Sequence, residues 1–135
     1  MLYLLDTDTC AFIARQKHPK VTSRFRSHRA GDLAMSVVTY GELRVGAEKS
    51  DRYPESLKAL ELFIQAVPVL AIDPEVARLY SKVRLDLEQR GQIIGANDLW
   101  IASHCLQLGL TLVTNNEREF SRIPNLRLRT GPADP

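Results

Sequence analysis

Four acidic side chains, Asp6, Glu42, Asp98 and Glu119, are the residues of this chain best suited to do chemistry. Asp6 directly follows the apolar run Leu2-Tyr3-Leu4-Leu5, and Glu42 lies about one helical turn after Ser36-Val37-Val38. Asp98 opens the run Leu99-Trp100-Ile101-Ala102, and Glu119 stands in a short turn after Thr111-Leu112-Val113-Thr114. In an open α/β fold, parallel strands end along one edge, and ligands bind there. Gathered at such an edge, the four carboxylates would repel one another, by about 4 kcal/mol per ionised pair at ~4 Å and an effective dielectric near ~20. A cation between them removes that penalty. Oxygen-only ligands select a hard ion, Mg²⁺ with Mn²⁺ as a substitute.

The elements that must position these acids follow from periodicity and punctuation. Leu2–Leu5 reads as a buried strand, and Thr7, Asp8 or Thr9 caps a helix running to about Arg15. Pro19 starts a second helical stretch with Val21, Thr22 and Phe25 inward. Leu33-Ala34-Met35 is a second strand, and Ser36 or Thr39 caps a helix to about Lys49. Leu57, Leu60, Phe63 and Ile64 repeat at helical spacing. Val67–Ile72 is a short strand whose Pro68 marks it as an edge or an irregular entry. Asp73-Pro74-Glu75 starts a helix that stops at Gly91, with Asp as cap and Pro at the first helical position. A helix from Asp98 to Leu108 ends at Gly109. Thr111–Thr114 and Leu126–Leu128 are the last strands. Strands alternate with helices, which predicts an α/β sandwich around a mostly parallel sheet. Residues 1–130 make one domain, and Gly131 to Pro135 is a frayed tail.

Composition bounds the rest. At 135 residues the chain fits one domain, with 44% hydrophobic and 25% charged residues. No apolar run approaches a membrane span, and the start lacks the basic flank of a signal peptide, which predicts a cytoplasmic protein. Cys10 and Cys105 are too few and too far apart for a disulfide scaffold or a zinc site, so both read as buried apolar residues. The net charge is only +2, but it is unevenly spread. Arg15, Lys17, Lys20, Arg24, Arg26 and Arg29 follow one another with no intervening acid, and Arg118, Arg122, Arg127 and Arg129 form a second cluster. A basic surface beside an acidic pocket suits a polyanion held near a metal site. A solvated amphipathic helix would carry the first run equally well.

Several segments together resemble the PIN-domain ribonucleases, and among them the VapC toxins of bacterial toxin–antitoxin pairs. They are Leu4-Leu5-Asp6-Thr7-Asp8, Ser36-Val37-Val38-Thr39-Tyr40-Gly41-Glu42-Leu43 with Gly46-Ala47-Glu48-Lys49-Ser50, Gly95-Ala96-Asn97-Asp98-Leu99-Trp100-Ile101-Ala102, and Leu112 through Phe120. The resemblance spans Met1 to about Leu128. It implies a PIN-like three-layer sandwich and Mg²⁺-dependent endonucleolytic cleavage of RNA. It also implies an acidic site of Asp6, Glu42 and Asp98, with Asp6 and Asp98 on the metal and Thr7 and Thr114 as polar neighbours. The family often has Asp in the turn after its fourth strand, where this chain has Asn115 and Asn116. Glu119 is the nearest acid, and the choice among Glu119, Asn115 and Asn116 stays open. Arg15, Lys20, Arg24, Arg26 and Arg118 are candidates for flanking phosphates. A cognate antitoxin and a homodimer are implied by kinship. The GAEKS and TNN-REF segments look like the enterobacterial branch, whose substrate class is transfer RNA.

Each acid also has a plain structural reading. Thr39 and Glu42 fit a capping box, Asn97 or Asp98 fits a helix cap, and Glu119 fits surface charge. Asp6 fits a cap too, although Asp8 and Thr9 fill that role more naturally. His18, His28 and His104 show no metal-ligand spacing and default to solvated positions. Trp100 reads as core, and Ser36 as a cap. The enzymatic rival is a haloacid-dehalogenase-like phosphatase with Asp6 as nucleophile. It lacks a later Lys, since none follows Thr114. A dinucleotide-binding module lacks its glycine fingerprint. A non-catalytic RNA-binding module of the same fold is the remaining alternative.

Overall fold

The computed structural model describes residues 1–15 and 31–131. The helical stretch expected from Pro19, with Lys20, Arg24 and Arg26, lies outside the described residues.

Among the described residues five strands form one sheet in the order β3-β2-β1-β4-β5, and every pairing is parallel. They are β1 (Tyr3–Leu5), β2 (Leu33–Ser36), β3 (Val69–Leu70), β4 (Thr111–Thr114) and β5 (Arg127–Thr130). The helices are α1 (Thr7–Arg15), α2 (Val37–Lys49), α3 (Tyr53–Ala66), α4 (Pro74–Gln89), α5 (Ala96–Leu108) and the single turn α6 (Glu117–Phe120). Parallel strands buried on both faces need apolar side chains on both. Leu4, Ala34 and Leu112 accordingly pack on one face with Leu87 of α4 and Leu99, Ile101, Ala102 and Cys105 of α5. Leu5, Met35 and Val113 pack on the other with Cys10 and Ile13 of α1, Leu43 of α2 and Phe63 of α3. The result is the expected three-layer sandwich. Both cysteines are buried and unpaired.

The local punctuation mostly holds. Asp73 caps α4 by accepting from Val76 N at 3.1 Å, with Pro74 at the first helical position. Gly109 ends α5 with φ +68°, a conformation that glycine adopts without strain. Four expectations change. Strand β3 is cut to two residues: Val67 still caps α3, Pro68, which has no N–H, only accepts, from Met35 N at 2.9 Å, and the pairing stops at Leu70. The edge strand β5 runs Arg127–Thr130, and Gly131 beyond it is buried rather than frayed, donating N–H to Thr114 O at 3.0 Å. Helix α2 is capped by Ser36, whose Oγ accepts from Val38 N at 3.2 Å, so the Thr39–Glu42 capping box does not form. Helix α1 is capped by Asp6 itself, not by Thr7, Asp8 or Thr9: Asp6 Oδ1 accepts from Thr9 N at 2.9 Å. Among the described residues no helix is long and apolar enough to cross a membrane.

Candidate active site

Strand register assembles the site. Leu5 pairs with Met35 on one side and Val113 on the other, so the next position of each strand places Ser36, Asp6 and Thr114 in one row across the carboxyl edge. Side chains two apart on a strand share a face. This row therefore projects to the side of Leu4, Ala34 and Leu112, where α5 packs.

Asp6 is buried, and both carboxylate oxygens are occupied. Oδ1 takes the Thr9 N–H, and Oδ2 takes the Thr114 hydroxyl at 2.5 Å. Thr114 Oγ1 in turn accepts from Asn116 N at 2.9 Å, which fixes the turn after β4. Burial pushes the Asp6 carboxyl above its ordinary range, against the hydrogen bonds from Thr114 and Thr9. Glu42 projects from α2 toward α1, where Thr7 Oγ1 donates to its Oε1 at 2.6 Å. The same hydroxyl lies 3.2 Å from Thr39 Oγ1. Glu119 sits on α6, and its Oε2 accepts from Asn116 Nδ2 at 3.0 Å.

Asp98 joins the others electrostatically. It lies in the first turn of α5, which starts at Ala96 with Gly95 as its cap and no capping side chain, so Asp98 is not a cap. Its carboxyl is pushed up to about 6, first by burial and then by the negative charges of Asp6, Glu42, Glu119 and Asp8. Acids from three separate parts of the chain, the β1–α1 junction, α2 and α6, are felt at this one group. Their donor chemistry, carboxylate oxygen throughout, fits a hard divalent cation. Three of them are meanwhile held on hydroxyl or amide partners, Asp6 by Thr114, Glu42 by Thr7 and Glu119 by Asn116. Among the described residues no group of three or more His, Cys, Asp or Glu stands close enough together to hold a metal ion.

The loop leading to Asp98 is tied from outside. Arg122 Nη1 donates to Ile93 O at 3.0 Å, and Arg90, paired with Asp86, donates to Arg122 O at 2.6 Å. Much of the second basic cluster is thereby engaged in the fold. Arg127 donates to Gly109 O, and Arg129 donates to Tyr3 Oη at 2.8 Å. Arg118 and Arg15 are exposed, as is Asn115.

His104 departs most from expectation. It is buried, not solvated, with Nδ1 2.9 Å from Ser36 Oγ. Burial lowers its pKa against a hydrogen bond to the Ala71 backbone. Its position among Ile101, Ala102 and Cys105 on a mostly apolar helix was the available signal. Trp100 stacks on Tyr80 of α4 with ring centroids 3.8 Å apart, a packing role.

Comparison with known proteins gives the same assignment. The PIN domain family matches residues 3–126. Ribonuclease VapC1 of Haemophilus influenzae (strain R2866) is 38% identical over 128 residues, covering 94% of this chain and 96% of that protein. The tRNA(fMet)-specific endonuclease VapC of Shigella flexneri is 38% identical over 125 residues, covering 93% and 94%. The crystal structure of VapBC2 from Rickettsia felis, bound to a DNA fragment from its promoter, superposes with a TM-score of 0.91 at 33% identity, covering 98% of this chain and 100% of that one. The chain belongs to the PIN-domain family, within its VapC ribonuclease branch. Neither the phosphatase alternative nor a dinucleotide-binding module gains support from these matches.

Proposed function

We propose that this protein is a metal-dependent endoribonuclease acting as the toxin of a toxin–antitoxin pair, with transfer RNA as its substrate class. The observation that carries the reading is the convergence at Asp98 of charge from Asp6, Glu42 and Glu119. Kinship supports the activity: related proteins are named ribonucleases, and the Shigella flexneri relative is named for tRNA(fMet). The relatives' VapBC structures support an antitoxin partner, which would block the acidic pocket with a cationic side chain. The protein acts in the cytoplasm, where such RNA is found, and residues 1–130, with Gly131 bonded onto them, work as one domain.

Asp6 and Asp98 would hold Mg²⁺, with Mn²⁺ as a substitute, and such an ion would supply polarisation of a phosphoryl oxygen and acidification of water. The chain's own residues do the rest. Thr114 and the Thr9 N–H lock Asp6 so that its carboxylate presents one orientation. Thr7 takes Glu42 Oε1, which leaves Oε2 to orient the attacking water. Asn116 steadies Glu119 at the rim, with Asn115 beside it as a polar neighbour. Arg15, Lys20, Arg24, Arg26 and Arg118 grip flanking phosphates, which positions RNA without selecting its sequence.

Purified protein incubated with total RNA tests the reading. Cleavage should appear with Mg²⁺ and vanish with chelator or in Asp6→Asn. RNA left intact under both Mg²⁺ and Mn²⁺ would refute it. Charge reversal across Arg24, Arg26 and Arg29 should flatten the salt dependence of RNA binding, and an unchanged slope would turn that segment away from substrate.

A further inference from the structure

Helices α2 and α5 both bring acids to the site, yet they reach it from different strand crossovers. One side-chain hydrogen bond joins their frames, between His104 on α5 and Ser36 at the start of α2. We propose that His104, acting through Ser36, is a positioning residue that fixes Asp98 relative to Asp6 and Glu42. The inference rests on the ribonuclease reading of the acidic site.

Three observations carry it. First, His104 is 1% exposed, so it touches neither RNA nor solvent and can act only through its neighbours. Second, its partner is the residue beside Asp6 in the row across the sheet edge. Ser36 Oγ also accepts from Val38 N, which sets the first turn of the helix that carries Glu42. Third, the hydrogen bonds form a directed chain. Ser36 Oγ already accepts from Val38 N, so its hydroxyl hydrogen can donate to His104 Nδ1 in the tautomer that carries the proton on Nε2, which the Ala71 backbone favours. Val38 N–H, Ser36 O–H and His104 thereby link α2, β2 and α5. An apolar side chain at 104 would fill the space but hold none of these directions. The pair acts one step removed from the acids, by fixing the placement of α5 against the start of α2.

The test compares the parent protein with His104→Leu, His104→Asn and Ser36→Ala. It records Tm, Mn²⁺ affinity from water-proton relaxation, and single-turnover RNA cleavage. His104→Leu should weaken Mn²⁺ binding about tenfold and slow cleavage at saturating RNA about as much. Its KM for RNA should stay within about twofold, because phosphate contacts lie elsewhere. His104→Asn puts an amide oxygen near the place of Nδ1 and should recover most of the Mn²⁺ affinity, even where its Tm falls as far as that of His104→Leu. Unchanged Mn²⁺ affinity in folded His104→Leu overturns the proposal, whatever its Tm. If His104→Leu does not fold, Ser36→Ala is judged by the same criterion. A parent protein that binds Mn²⁺ but cuts no RNA sinks the ribonuclease reading and leaves positioning to be decided by the Mn²⁺ ratios. A parent protein that binds no Mn²⁺ sinks both.

Discussion

Asp6 and Asp98 are the same residue type in one site, but they are held in opposite ways. Asp6 ends a central strand, is almost fully buried, and has a donor on each oxygen. Asp98 stands in the first turn of a helix, half-buried, and the charges facing it are all negative. The first is set by the main chain of β1 and β4. The second is set by where α5 is placed as a body. A carboxylate satisfied by hydrogen bonds is a fixed point, and one opposed by its neighbours is the group whose charge a cation relieves.

The contrast breaks most sharply in activity. Asp6→Asn and Asp98→Asn should each lower RNA cleavage by about a hundredfold or more, with native circular dichroism. Asn caps a helix about as well as Asp, so α1 should survive the first change. Full Mg²⁺-dependent activity in either variant would remove that residue from the mechanism.

Stability should separate the two acids next. Thr114→Val deprives buried Asp6 Oδ2 of its donor and Asn116 N of its acceptor. It should cost about 1–3 kcal/mol in urea unfolding. No loss would mean that the fixed point lies elsewhere. Asp98→Asn should act in the other direction. The Asp98 carboxyl titrates near 6 in the folded chain against 3.8 ordinarily. A raised folded value means that the carboxyl's contribution to stability is fully present below about pH 4 and is lost as pH rises through about 6. Removing the charge should therefore stabilise the protein at pH 7 by about 1–2 kcal/mol, after discounting the full shift for partial exposure. The gain should disappear below about pH 4. An equal gain at both pH values would rule out charge as its cause. The smallest effect concerns the backing of Asp6. A Cβ at Gly131 would meet Thr9 Oγ1 at 3.0 Å, so Gly131→Ala should cost about 1 kcal/mol in Tm-derived stability.

The sequence made the sandwich legible where local chemistry decides. Asp73-Pro74 and Gly109 mark helix ends whatever surrounds them, and the alternation of strands and helices sets the layers. The acids stand out in the sequence because each sits at a junction, and the fold brings Asp6, Glu42 and Glu119 within electrostatic reach of Asp98. Their individual duties were not legible. Ser36 caps α2 as its type suggests, but Asp6, not Asp8 or Thr9, caps α1, because the cap is the residue that follows the strand. Which residue that is depends on register with neighbouring strands. His104 was misjudged for a similar reason. Its partner Ser36 lies 68 positions away, and only the packing of α5 on the sheet brings them together. The roles of Arg122, Arg127 and Arg129 could not be read from their charge, and each side chain reaches a main-chain carbonyl or a tyrosine hydroxyl.

The bond from Thr114 to Asp6 spans 108 positions of the chain. A ribosome making this protein thus exposes Asp6 early and supplies its hydroxyl clasp much later. Throughout that interval the carboxylate lacks the partner that fixes Oδ2, so its geometry is among the later features of the fold to be set.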